Sequence, residues 1–242
     1  MQTAFERSNR VAESEKRLRF NDATLDEVIG GIRGGGITEI SGEAGCGKTQ
    51  ILCHLSLLCQ IEASEGGLSG IAMYLHAGEG GFPHKRLQQM AEELVSAGRT
   101  RKSSMELLND VLTLPFHNPD EAVEMLNDYI PKEIYKRRNV KLLVIDSIGG
   151  LMRTEFEPDD FDKYDVIFKI ADRLKWIADT YGVCVVVVNH VSSGSDARDE
   201  VTPIPHDSFG RRARCITASS YGGTRPTLGF TWAHCIKTRI RL

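Results

Sequence analysis

The stretch Gly42-Glu43-Ala44-Gly45-Cys46-Gly47-Lys48-Thr49 fits the pattern G-x-x-x-x-G-K-[ST], and it limits what the rest of the chain can be. That pattern needs a strand before it and a helix after it. Ile37-Thr38-Glu39-Ile40 has the β-branched alternation of a strand, and Ile51, Leu52, Leu55, Leu58 and Ile61 recur at helical spacing. In such a loop the glycines let backbone N–H groups turn inward around the β- and γ-phosphates of a nucleotide. Lys48 reaches the same oxygens, the Thr49 hydroxyl is placed to ligate Mg2+, and the start of the helix adds its positive end. The sequence therefore predicts a nucleoside triphosphate site.

A chain of 242 residues holds one well-buried α/β core with room for loops but hardly two. Composition is that of a soluble globular protein, 41% hydrophobic and 26% charged. No apolar run approaches the ~20 residues of a membrane span, and no secretory signal opens the sequence. A net charge of −3 means that any nucleic-acid contact has to use a local basic patch. The 6 cysteines include no C-x-x-C pair, so they read as reduced thiols of a cytosolic or nuclear protein and not as zinc ligands.

Residues 1–20 are polar and charged and read as a flexible lead-in, in which Phe5 is the one aromatic that stands out before Phe20. Leu25 to Gly36 reads as a short helix ending in a glycine turn, and Ile71-Ala72-Met73-Tyr74-Leu75 as a second buried strand. His76-Ala77-Gly78-Glu79 follows, and residues just past a strand's carboxyl end line the ligand crevice of an open parallel sheet. Glu79 is thus a candidate to orient or deprotonate an attacking water. Helical spacing covers Phe82 to Ser96. Val111 to Leu114 is a short strand candidate, and Glu121 to Arg138 a helix bent or broken at Pro131.

Leu142-Leu143-Val144-Ile145 ends in Asp146, as a central parallel strand with a metal-site acid at its tip would. Phe161 to Thr180 forms another amphipathic helix, and the run Val183 to Val188 leads into Asn189-His190 at the same edge, where both are candidates to sense the γ-phosphate. Residues 191–226 make a loop longer than a compact domain needs, with Arg211, Arg212 and Arg214 as its densest basic cluster. Leu228 to Leu242 alternates apolar and polar residues and reads as a final strand.

With the P-loop, Glu79, Asp146 and Asn189 on successive strand ends, the chain resembles the RecA-like recombinase core, nearest to the eukaryotic recombinases and their paralogues. Gly36-Ile37-Thr38-Glu39-Ile40, Gly47-Lys48-Thr49-Gln50, Leu143-Val144-Ile145-Asp146-Ser147 and Val188-Asn189 carry the resemblance. Phe82-Pro83-His84-Lys85-Arg86-Leu87-Gln88-Gln89 and Leu228-Gly229-Phe230-Thr231-Trp232-Ala233 make it most similar to the paralogue branch of the X-ray repair cross-complementing group three type.

The resemblance implies a twisted, mostly parallel α/β sheet between helices, with a core from residue 21 to residue 242. It implies ATP held by Gly42, Glu43, Ala44, Gly45, Cys46, Gly47, Lys48, Thr49 and Gln50, Mg2+ at Thr49 and Asp146, Glu79 as catalytic carboxylate with Lys48, and Asn189 and His190 as sensors. It further implies single-stranded DNA at Arg211, Arg212 and Arg214, a second recombinase paralogue tethered through Phe5, and work in the nucleus, with the cytoplasm as a second location.

Departures accompany it. The Glu79 loop is one residue longer and richer in glycine than the family's. His190 stands where glutamine is common, and Arg153 to Asp165, in the place of the first DNA-facing loop, is acidic. The family's helical N-terminal domain and last strands are not expected here. Two functions stay open: a DNA-dependent ATPase of recombination repair, and an ATP-gated assembly subunit with negligible turnover and no DNA contact of its own. A small-molecule kinase lacks any lid or acceptor-site motif.

Overall fold

A computed structural model describes residues 16–77, 81–149, 152, 161–193, 215–216, 224–228 and 232–242. Phe5, Glu79, Arg211, Arg212 and Arg214 lie outside the described residues.

A short ribbon opens the described chain, with β1 (Arg17–Leu18) antiparallel to β2 (Ile32–Arg33). Between them, α1 (Ala23–Ile29) is capped by Asp22, whose carboxylate accepts from the Leu25 N–H, and ends at Gly30 in the left-handed region. The main sheet contains β3 (Gly36–Gly42), β4 (Ile71–Ala77), β5 (Val111–Phe116), β6 (Val140–Asp146), β7 (Cys184–Ser193), β8 (Cys215–Ile216) and β10 (Thr238–Arg241) in the order β5-β4-β6-β7-β3-β10-β8. All those neighbours run parallel, and β9 (Thr224–Pro226) pairs antiparallel with the end of β7. Parallel strands share one carboxyl edge, so Gly42, Ala77, Asp146 and Asn189 are gathered along it although they are far apart in sequence.

Helices cover both faces of the sheet, which is why its central strands are apolar without alternation. On one side lie α2 (Lys48–Leu58), α3 (His84–Ser96) and α4 (Ser104–Asn109), whose Leu52, Leu55, Leu58, Leu87 and Leu107 form one core with Ile40, Tyr74, Val186 and Val188. On the other side lie α5 (Pro119–Glu124), α6 (Ile130–Arg137) and α7 (Phe161–Tyr181), where Leu126, Ile130, Ile134, Ile167, Ile170 and Leu174 pack on Ile37, Met73, Leu143, Val185 and Val187. A π-helical turn, Met125–Tyr129, joins α5 to α6 immediately before Pro131. The extra residue of that turn falls where proline can give no N–H, so the bend expected at Pro131 is taken up without breaking the helix. Pro115 lies within β5, at the sheet edge where a missing donor does no harm.

Three expectations change. The flexible lead-in stops short of residue 20, because Arg17–Leu18 pairs with β2 and the Leu18 and Phe20 side chains are buried in the same core as the apolar face of α2. Polar neighbours hid two core positions. The final strand is confined to Thr238–Arg241, while Trp232 sits in a helical turn and is fully buried. Alternation across 232–237 falls in that turn and its connection, since β3 offers register only to Thr238–Arg241. The stretch 191–226 is not all loop: Val191–Ser193 continues β7, pairing with Thr224–Pro226, and Cys215–Ile216 joins β10. These pairings depend on distant strands and leave no periodic signal locally.

Candidate nucleotide site

β3 ends at Gly42 in a crowded position: a Cβ there would come 2.6 Å from Cys46 Sγ, which would have to move aside, and 3.1 Å from the Leu242 main-chain oxygen. Gly47, with φ 95°, starts α2 from the left-handed region. The loop therefore turns sharply onto Lys48, which is buried and donates from Nζ to the carbonyl oxygens of Gly42 at 3.0 Å and Glu43 at 2.6 Å. The same ammonium lies 3.7 Å from Cys46 Sγ. One side-chain cation is thus held inside the loop that the sequence assigns to phosphate.

Next to it, the Thr49 hydroxyl donates to Asp146 Oδ2 at 2.7 Å. The Tyr74 hydroxyl donates to the same oxygen, also at 2.7 Å. Burial, followed by the nearby Asp146 charge, drives the Tyr74 phenol far above its ordinary value, so it stays protonated and acts as donor to the carboxylate. Thr49 and Asp146 are a hydroxyl and a carboxylate side by side at the head of α2. That is an oxygen donor set suited to a hard divalent cation that keeps waters and nucleotide phosphate as its other ligands. Gln50 accepts from Arg86 Nε at 2.6 Å, tying α2 to α3 at the surface.

Asn189 and His190 diverge. Asn189 is fully buried and donates from Nδ2 to Glu39 Oε1 at 2.7 Å, while its Oδ1 accepts from the Thr227 hydroxyl at 2.8 Å. Glu39 is itself buried on β3, and takes a further hydrogen bond from Trp232 Nε1 at 3.0 Å and another from Arg239 Nε. A buried carboxylate is tolerable only when paired and hydrogen-bonded, and Glu39 is both. His190 faces the residue after Asp146 instead, with Nε2 3.1 Å from Ser147 Oγ. His76 stands opposite Asp146 in the β4–β6 register, and its imidazole is pushed below the ordinary histidine range, mainly by burial.

The structure thus brings Gly42 through Gln50, Asp146, Asn189 and His190 to one edge. Sequence reasoning missed Tyr74, Glu39, Ser147, Thr227 and Arg239 as parts of this edge, and placed Trp232, in a stretch that carries the family resemblance, on the final strand. Glu39 had left a signal, a carboxylate within a β-branched strand. Tyr74 had none, because a tyrosine in an apolar run is an ordinary core residue. Among the described residues Cys46 is exposed, Cys53, Cys59, Cys184 and Cys235 are buried, and all are free thiols. Among the described residues, no helix is long and apolar enough to cross a membrane.

The Rad51 family profile matches residues 17–210. The chain is 32% identical to the DNA repair protein XRCC3 homolog of Arabidopsis thaliana over 244 aligned positions, covering 96% of this chain and 77% of that protein. It is 30% identical to the DNA repair protein RAD51 homolog 2 of Mus musculus, covering 100% of this chain and 71% of that one. The DNA repair protein RAD57 of Saccharomyces cerevisiae is 30% identical over 78% of this chain and 40% of its own length. With the P-loop at the carboxyl edge of a mostly parallel sheet and Asp146 beside Thr49, the chain belongs to the Rad51 family, on the side of its XRCC3-type paralogues.

Proposed function

We propose that this protein binds ATP with Mg2+ at the Gly42–Gln50 loop and acts in homologous-recombination DNA repair, as a DNA-dependent ATPase working with another recombinase paralogue on single-stranded or branched DNA. The observation that carries the reading is the Thr49–Asp146 hydrogen bond beside Lys48, which assembles the metal and phosphate groups at one strand edge. Mg2+ bound there would neutralise phosphate charge. Lys48 would exchange its loop carbonyls for phosphate oxygens, Thr49 would offer its hydroxyl oxygen, and Asp146 would accept from the metal's waters. Glu79 follows β4 and is the proposed base for the attacking water. A nuclear site of action accords with the repair role named for the relatives. Phe5 is the proposed anchor on the partner, since one buried aromatic can supply about 2 kcal/mol or more at an interface.

A second reading is favoured by Asn189, whose amide is already engaged by Glu39 and Thr227. In it the bound nucleotide holds the protein in its assembling form with negligible turnover. Phosphate release from purified protein, with and without single-stranded DNA and with Glu79→Gln as control, tests the first reading. DNA-stimulated release lost in Glu79→Gln supports it. Nucleotide binding without release under any of these conditions leaves the assembly reading. Retention of a recombinase-paralogue partner by Phe5→Ala at the wild-type level would remove the tether.

A further inference from the structure

Tyr74 is fully buried in the middle of β4, yet its hydroxyl ends on the carboxylate that the nucleotide reading assigns to the metal. Its direct neighbour across the β4–β6 pair is Val144, and Asp146 is opposite His76, so the phenol reaches diagonally past its own register to the strand tip. The Phe82 ring stands edge-on to the Tyr74 ring with centroids 4.9 Å apart, fixing the direction in which the hydroxyl points. Two hydroxyls, from Thr49 and Tyr74, converge on Oδ2, and no described residue donates to Oδ1. The terminal torsion of an aspartate is broad and soft. A pair of donors on one oxygen restricts that freedom and leaves the other oxygen without a donor among the described residues.

From this geometry we infer that Tyr74 is a positioning residue for Asp146, holding the carboxylate in the one orientation that serves a magnesium–nucleotide complex. The inference rests on the nucleotide reading above. Thr49 would serve two partners, its lone pair the metal and its proton Oδ2, whereas the Tyr74 hydroxyl is anchored in the core and serves only the carboxylate. Partners of this kind, one step removed from a metal, change metal affinity by about 10- to 100-fold when lost. A phenol that had merely found an acceptor in the core would affect stability and nothing else.

The test is a titration of MgCl2 against a fluorescent ATP analogue bound to wild type, Tyr74→Phe, Asp146→Asn and the double variant, each with an EDTA baseline. Phenylalanine keeps the ring packing and removes only the donor. The expected result is EDTA binding of Tyr74→Phe equal to that of wild type, a Mg2+ midpoint raised about tenfold in Tyr74→Phe, and no further change in midpoint when Tyr74→Phe is added to Asp146→Asn. Phe82→Leu, which loosens the ring but keeps the hydroxyl, should raise the midpoint by less and supplies the measurement if Tyr74→Phe does not fold. A wild-type Mg2+ midpoint in Tyr74→Phe, whatever its melting temperature, overturns the inference and leaves the nucleotide site standing. Failure of wild type to bind nucleotide with or without Mg2+ overturns both.

Discussion

The Thr49 hydroxyl donates to the Asp146 carboxylate across 2.7 Å, joining the first turn of the P-loop helix to the tip of a strand 97 residues further along. Asp146→Asn keeps the shape of that contact and an oxygen to accept it, but removes the charge that a hydrated cation needs. Nucleotide affinity in EDTA should therefore stay within about twofold of wild type, while the gain on adding Mg2+ falls about tenfold or more. Equal Mg2+ responses in the two proteins would refute the metal role.

Lys48 presents three donors from one buried ammonium, and two of them are held by loop carbonyls. Each hydrogen bond to a charged group is worth about 1.5–3 kcal/mol, so Lys48→Ala should weaken triphosphate binding by about two orders of magnitude or more. Isothermal titration with ATP measures this. Unchanged affinity would sink the P-loop assignment.

Glu39 holds Asn189, Trp232 and Arg239 at once, and truncation would leave two fully buried donors and the half-buried Arg239 guanidinium facing a gap. Glu39→Ala should lower unfolding free energy by about 3–5 kcal/mol, as expected for removing one partner of a buried pair. Glu39→Gln, which keeps an acceptor but not the charge opposite Arg239, should lie between that variant and wild type. Urea denaturation followed by circular dichroism decides. A loss below about 1 kcal/mol in Glu39→Ala would show that the network adds little.

His54 is pushed below the ordinary histidine value, first by burial and then by the nearby Arg99 charge, against its hydrogen bond with the Phe20 backbone and the Glu93 charge. His76 is shifted in the same direction, again mainly by burial. A lowered folded-state value means that the unfolded chain takes up protons first as pH falls. The stability these neutral rings allow is thus intact above about pH 6.5 and is lost below it, down to the folded-state value. The melting temperature should drop between pH 7.5 and pH 5.5, and His54→Asn should flatten that drop. Parallel curves for the two proteins would rule His54 out as a contributor.

Arg211, Arg212 and Arg214 form a local basic cluster in a chain of net charge −3, and are the proposed ligands of DNA phosphate. Contacts to phosphate read charge and not sequence. Replacing all three by alanine should weaken single-strand binding alike for every sequence and lower the slope of log K against log salt by about 0.7 per lost contact, with ATP affinity unchanged. Unaltered binding and slope would place the DNA contact elsewhere and favour the assembly reading.

By itself the sequence determined the parts whose chemistry is local: the glycine turns of Gly42–Gly47, Lys48 and Thr49 at the start of a helix, Asp146 at the end of an apolar run, and the strands that carry Ile37–Ile40, Ile71–Leu75 and Val183–Val188. Each lies in a stretch where spacing alone distinguishes strand, turn and helix. The meeting of Thr49 and Asp146 was legible because a G-K-[ST] helix start and an acid at the tip of an apolar strand both belong at the carboxyl edge of a parallel sheet, whereas the strand order was not. The tertiary structure alone decided what a buried polar side chain would touch. Tyr74 and Asp146 are 72 residues apart, Glu39 and Arg239 200, and Glu39 and Trp232 193. Such pairs have no period to reveal them. Their identity follows from which strands become neighbours, since a polar group sealed from water must take whatever partner the packing brings within reach.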